Sequence, residues 1–125
     1  MKQKSIKESE VEQALRRAVE DEGGLCLKWV CPGHRGVPDR ILLFPGELIA
    51  FVELKRPGAK VKAGGLQEWW REKIQSFSFR CYEISTVEQA KSVVSTLSTE
   101  SMERVCADRA WGFADEEELD DWPEL

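Results

Sequence analysis

DRILLFPGELIAFVELK, residues 39–55, decides the fold. Two apolar runs, ILLF and LIAFV, flank Pro45-Gly46-Glu47, a turn-forming triplet, so the stretch reads as a β-hairpin. With a three-residue loop Phe44 falls opposite Leu48, the two numbers of every pair add up to 92, and Asp39 comes opposite Glu53. Opposed residues share a face, with Cβ atoms roughly 4.5–5.5 Å apart. Side chains alternate along a strand, so Glu53 and Lys55 also point the same way. Two carboxylates are thereby expected beside one ammonium. The second run is apolar on both faces at its start, which predicts a central strand in a covered sheet.

Outward from this hairpin the chain alternates helical and extended patterns. SIKESEVEQALRRAVEDEGG (5–24) places Val11, Ala14, Leu15, Ala18 and Val19 on one helical stripe and ends on a glycine pair suited to a C-terminal cap. LCLKWV (25–30) reads as a strand, CPGHRGVP (31–38) as a loop, Asp39–Phe44 and Leu48–Lys55 as the two hairpin strands. RPGAKVKAGG (56–65) is a basic, glycine-rich loop before a helix whose Leu66, Trp69, Trp70, Lys73, Ile74 and Phe77 have buried-stripe spacing. FRCYEI (79–84) is a fourth strand, and STVEQAKSVVSTL (85–97) a helix opened by Ser85 and Glu88. The order α-β-β-β-α-β-α predicts an α/β domain with a single mixed β-sheet flanked by helices. The domain is expected over residues 1–100. Residues 101–125, ending in DEEELDDWPEL, have the composition of a mobile acidic tail.

At 125 residues the chain can fill one core but not two. Its net charge of -5 is unevenly spread. Residues 1–97 carry 16 Lys and Arg against 13 Asp and Glu, while residues 98–125 carry 2 against 10, so a weakly basic body precedes an acidic end. Such a body is compatible with phosphate binding, as is any mixed solvated surface. No long apolar run and no signal-type segment follows Met1, which predicts a soluble cytoplasmic protein with no membrane partner. Cys26, Cys31, Cys81 and Cys106 show no disulfide framework. Cys26, Cys31 and His34, with Cys81 as a distant fourth, lack the regular spacing of a zinc site and read as reduced thiols and a loop histidine.

Like charges opposed in a sheet repel unless something positive lies between them. For Asp39 and Glu53, Lys55 is one candidate and a hard divalent cation the better one, because carboxylate oxygens with water and substrate phosphate are the usual surroundings of Mg²⁺. That cation would polarise a phosphoryl oxygen and acidify a water, with Lys55 countering the developing negative charge. The alternative reading is a turn aspartate beside a surface ion pair, since one residue more in the loop breaks the register.

GVPDR (36–40), ELK (53–55) and LQEWW (66–70), in that order and with that surrounding pattern, resemble the VRR-Nuc branch of the PD-(D/E)xK nuclease superfamily. The likeness runs from about residue 8 to 97 and leaves the tail outside. It implies a restriction-endonuclease-like core and a DNA endonuclease hydrolysing phosphodiesters with Mg²⁺ or Mn²⁺. Catalytic positions fall on Asp39, Glu53, Lys55, Gln67 and Glu12, with Asp39, Glu53 and Glu12 as metal ligands. Small members of the family imply a homodimer acting on branched or junction DNA. Read from its helix alone, Glu12 sits about 90° from the apolar stripe, at a helix-sheet margin, or serves as a capping-box partner of Ser9. Gln67 lies off the stripe of its helix, near an N-terminus that favours anions, or is simply solvated.

Lys28, Arg35, Arg40, Lys60 and Lys62 are candidates for phosphate contacts, which position DNA without reading its sequence. Trp69 and Trp70 offer ring faces to bases, although their spacing puts at least one in the core. The rival to an enzyme is a non-catalytic DNA-binding or adaptor module that keeps the fold; carboxylates facing phosphate speak against it. The tail, with Trp111, Phe113 and Trp122 among acids, reads as a solubilising end or as a mimic of nucleic acid.

Overall fold

A computed structural model describes residues 2–56 and 65–110. The order is α1 (Lys2–Asp21), β1 (Leu25–Lys28), β2 (Arg40–Phe44), β3 (Leu48–Leu54), α2 (Leu66–Ser76), β4 (Arg80–Ile84) and α3 (Val87–Ala110). Every expected element is present, in the expected sequence. The four strands form one sheet in the order β1-β2-β3-β4, antiparallel across the first two pairs and parallel between β3 and β4. The sheet is therefore mixed. Phe44 faces Leu48 and Arg40 faces Val52, which is the register read from the hairpin; one step further along it brings Asp39 level with Glu53.

The pleat separates two faces with different cover. Even-numbered residues of the hairpin, Leu42, Phe44, Leu48, Ala50, Val52 and Leu54, join Val11, Leu15 and Val19 of α1 and Ala90, Val94 and Leu97 of α3 in one core. Each fully buried Leu, Val or Ile there contributes roughly 1.5–3 kcal/mol. The odd-numbered face is only partly covered, because α2 packs on β4. Two rows of apolar side chains, Leu25–Leu43–Ile49 and Leu27–Ile41–Phe51, cross three strands there. Leu27 keeps 44% of its surface exposed and Phe79, edge-on to Phe51 at 5.9 Å, keeps 42%. So β3 is central as expected, but its second face is not fully covered among the described residues.

Three element ends differ from the sequence reading, each for a polar reason that apolar periodicity does not carry. α1 begins at Lys2, so Ser9 lies inside the helix and does not form a capping box with Glu12. The cap of α3 is one residue later than expected: the Gln89 amide N–H donates to Thr86 Oγ1 (3.1 Å), and Gln89 Oε1 accepts from the Ser85 and Thr86 N–H groups (2.7 and 3.3 Å). α3 also continues past residue 100 to Ala110, fastened to the hairpin turn. Ser101 Oγ donates to the Pro45 carbonyl (2.6 Å), Arg104 Nη1 to the Gly46 and Glu47 carbonyls (3.3 and 3.2 Å), and Glu100 pairs with both Arg80 and Arg104. At the end of α1 the expected glycine cap is present: Gly23 has φ 82°, and Gly24 N–H donates to the Val19 carbonyl at 2.9 Å. The acidic residues 111–125 lie outside the described residues. No helix among those described is long and apolar enough to cross a membrane.

Candidate active site

The open end of the hairpin gathers four of the five residues singled out as catalytic. Asp39, just before β2, is pinned twice: its Oδ2 accepts the Leu54 amide N–H at 2.8 Å, and its carbonyl accepts the Trp29 N–H at 2.9 Å. Leu54 itself points into the core, so the backbone, not the side chain, ties the Asp39 carboxylate to β3. Glu53 projects from the opposite face of β3, only 7% exposed, close enough to Asp39 for the two carboxylates to act on each other electrostatically. Gln67, in the first turn of α2, joins the rest. Its Nε2 donates to Glu53 Oε1 at 3.2 Å, and its Oε1 accepts from Lys55 Nζ. The chain of contacts thus runs Asp39, Glu53, Gln67, Lys55, across two strands and a helix.

The electrostatics of Glu53 are those of a carboxylate lacking a counter-charge. Burial first, then the neighbouring Asp39 carboxylate, push its pKa from 4.5 to about 8; Lys55 opposes this and Glu83 adds to it. Glu83 lies across the parallel ladder from Glu53 and is held by Arg71 of α2. Among the described residues no group of three His, Cys, Asp or Glu could together hold a metal. What the chain offers is two carboxylates with an amide and an ammonium around them.

Glu12 is not joined to this cluster. Its carboxylate takes the Arg40 guanidinium, and Arg40 shares the face of Leu42 and Phe44, turned toward α1, with its side chain 14% exposed. Arg40 is accordingly engaged within the protein rather than offered to solvent. Lys28, opposite Arg40 on β1, and Arg35, in the loop before Asp39, are exposed; Lys60 and Lys62 lie outside the described residues. Cys26 is buried on the α1 side of the sheet opposite Leu42, and Cys81 on the other side opposite Phe51. The sheet itself keeps them from sharing a zinc ion, and burial raises the pKa of both thiols, that of Cys81 to about 11.

Two contacts had no sequence signal beyond their residue types. The Trp70 indole N–H donates to the Arg35 carbonyl at 2.8 Å, and His34 meets the Trp70 ring edge-on at 5.7 Å. Trp70 is half-buried, whereas Trp69 stands 51% exposed and perpendicular to it at 5.0 Å. Neither ring lies in the core, contrary to the stripe spacing: α2 rests on the edge strand β4 and buries Ile74, while Leu66 and Phe77 of the same stripe stay exposed.

No family model matches the chain. It is 44% identical over 63 residues, half of this chain and 68% of the relative, to p44 of Acyrthosiphon pisum secondary endosymbiont phage 1, a protein provisionally named a nuclease. Among solved structures it is similar to one titled VRR_NUC domain, with a TM-score of 0.65 and 24% identity, over 71% of this chain and 95% of that one. The arrangement of one mixed sheet with three helices is shared with that structure. The sequence relative and the shared fold agree with the cluster at the open end of the hairpin: the chain belongs to one family with that phage protein, and its fold is that of a VRR-Nuc domain.

Proposed function

We propose that this nuclease is a divalent-metal-dependent endonuclease that hydrolyses DNA phosphodiester bonds at the Asp39–Glu53–Lys55–Gln67 cluster. The observation that carries the reading is the nearly buried Glu53 beside Asp39, with its pKa raised to about 8. A pair of acids in that setting is disfavoured in its ionised form unless a cation joins it. The donor set fits a hard cation: two carboxylates leave the remaining positions of an octahedron to water and phosphate, the habit of Mg²⁺ and, with similar ligands, Mn²⁺. Asp39 and Glu53 would hold it, and when bound it supplies Lewis acidity to the phosphoryl group and a more acidic water.

The chain's own residues do the positioning. The Leu54 N–H fixes one oxygen of Asp39, leaving the other for the site. Gln67 orients Glu53 through its amide N–H and Lys55 through its amide oxygen, so neither side chain must be ordered when DNA arrives. The Lys55 ammonium stands where negative charge accumulates on the phosphate in the transition state. Glu12, expected as a further ligand, would contribute only on leaving Arg40, and Arg35 and Lys28 provide exposed charge for the backbone of DNA.

Preference for branched or junction DNA follows from a homodimer, because the distance between two sites then selects the shape of the substrate. Support for a second copy comes from the partly open sheet face, where Leu25, Leu27, Leu43, Ile49 and Phe51 carry no charge among them. Labelled linear duplex, flap, four-way junction and single strand, incubated with Mg²⁺, with Mn²⁺ and with chelator, test the reading. Metal-dependent cutting strongest on branched DNA is expected. Binding to the same DNAs without cutting under either metal would replace the enzyme with an adaptor that kept the fold.

A further inference from the structure

We infer that Trp70 is a positioning residue: with the Arg35 carbonyl and Gly36 it latches the loop 31–38 onto the first turn of α2 and thereby sets Gln67 between Glu53 and Lys55. The inference rests on the proposed function of Gln67. Three observations place the latch. The Trp70 indole N–H donates to the Arg35 carbonyl at 2.8 Å. The next residue, Gly36, has φ 85°, and a Cβ there would stand 2.8 Å from Leu66 Cβ, 2.9 Å from the Leu66 carbonyl carbon and 3.0 Å from the Gln67 nitrogen. The loop backbone therefore presses directly on the peptide that carries Gln67, and only a residue without a side chain fits. His34 closes the outer edge of the Trp70 ring at 5.7 Å.

The need for such a latch follows from how α2 is held. Its principal partner is β4, and Ile74, its one fully buried residue, lies two turns beyond Gln67. The residue that caps its start, Gly65, offers no side-chain hydrogen bond. Among the described residues the first turn therefore has the loop contacts beside its own polar side chains, and no buried apolar residue, to hold it. Trp70 lies three residues after Gln67, on the neighbouring strip of the same helix surface. The same loop leads in three residues from Gly36 to Asp39, which the Leu54 and Trp29 N–H groups fix. One short segment therefore sets both the carboxylate just before β2 and the amide on α2, and the Trp70 bond keeps the two in step.

Trp70→Phe, which keeps a ring and removes the N–H, tests this in a cycle with Gln67→Ala. The single Trp70→Phe change is expected to lower kcat by up to about tenfold, the scale of one hydrogen bond, with KM for DNA changed less than about threefold. In the Gln67→Ala background the same change is expected to have no further effect, which a merely structural residue would not show. Full activity of Trp70→Phe, or losses that add across the cycle, would overturn the latch. Nuclear magnetic resonance of the full chain supplies arms that need no catalysis. The Trp70 indole proton should exchange with solvent at least about tenfold more slowly than a free indole, and the Gln67 side-chain amide signals should shift in Trp70→Phe. Fast indole exchange or an unmoved Gln67 amide refutes the latch even if the protein proves to cut nothing, whereas absence of cleavage with both signals as expected refutes only the catalytic reading.

Discussion

Replacing Glu53 by Gln should make the protein more stable at alkaline pH, and the gain should vanish in acid. Glu53 has an ordinary value of 4.5 and is raised to about 8 in the fold, chiefly by burial and next by Asp39. Because the folded value is the higher one, the contribution of this group is undiminished below pH 4.5. Stability is lost as pH rises between the two values, where the unfolded chain has released a proton that the folded chain still holds. At about 1.4 kcal/mol per unit the loss by pH 8 is capped at roughly 5 kcal/mol, and water reaching Asp39, which is exposed, reduces it to about 2–3 kcal/mol. Gln has the same length and keeps an acceptor for the Gln67 amide N–H but does not ionise. With roughly 3–5 °C per kcal/mol for a chain of this size, Glu53→Gln should melt about 10 °C above the parent at pH 8 in chelator, and within about 2 °C of it at pH 5. Thermal melts across pH 5–8 read the difference. A gap that is the same at both ends would mean that Glu53 is not held in its neutral form and that the argument for a missing cation is wrong.

Other expectations are simpler to state. Mg²⁺ should raise the melting temperature of the parent protein more at pH 8 than at pH 6, since holding the cation displaces the proton from Glu53; equal shifts in a thermal scan would contradict this. Leu42→Ala, at a fully buried position between β1 and β3, should cost about 2–5 kcal/mol in a urea titration. Glu100→Gln should weaken the hold of α3 on the hairpin by less than about 1 kcal/mol. Its partners Arg80 and Arg104 lower the Glu100 pKa, so the effect should be present at pH 7 and fade as pH falls below the ordinary carboxylate range. Light scattering should give a dimer for the parent and a monomer for Leu27→Lys, in the middle of the open sheet face, with the fold intact by circular dichroism; a parent that scatters as a monomer would contradict the proposed pairing.

The hairpin was legible because two independent signals agreed: a turn triplet of fixed length and apolar runs of the right period. Once Phe44 is opposite Leu48, the approach of Asp39 to Glu53 follows from counting. Gln67 could be named but not placed, since the position of α2 depends on the Gly36 contact and the Trp70–Arg35 bond, neither of which has a periodic trace. Glu12 was placed at the helix-sheet margin from its helical angle, and that is where it lies; what the angle omits is the side of the sheet. Arg40 shares the parity of Leu42 and Phe44, so the sequence did contain the sign that it faces α1, where Glu12 meets it. The extension of α3 to Ala110 was hidden because Ser101 and Arg104 hold the turn through carbonyl oxygens, contacts to which hydrophobic patterning is blind.

The most direct test of the account is single-turnover cleavage of a labelled four-way junction by the parent protein, Asp39→Asn and Lys55→Ala, each with Mg²⁺ and with chelator. The account predicts cutting by the parent with Mg²⁺ alone and a loss of at least about 100-fold in either variant, with the Mg²⁺-dependent rise in melting temperature abolished in Asp39→Asn and retained in Lys55→Ala. Cutting that persists in chelator, or that survives in Asp39→Asn, would place the chemistry elsewhere than at the paired carboxylates.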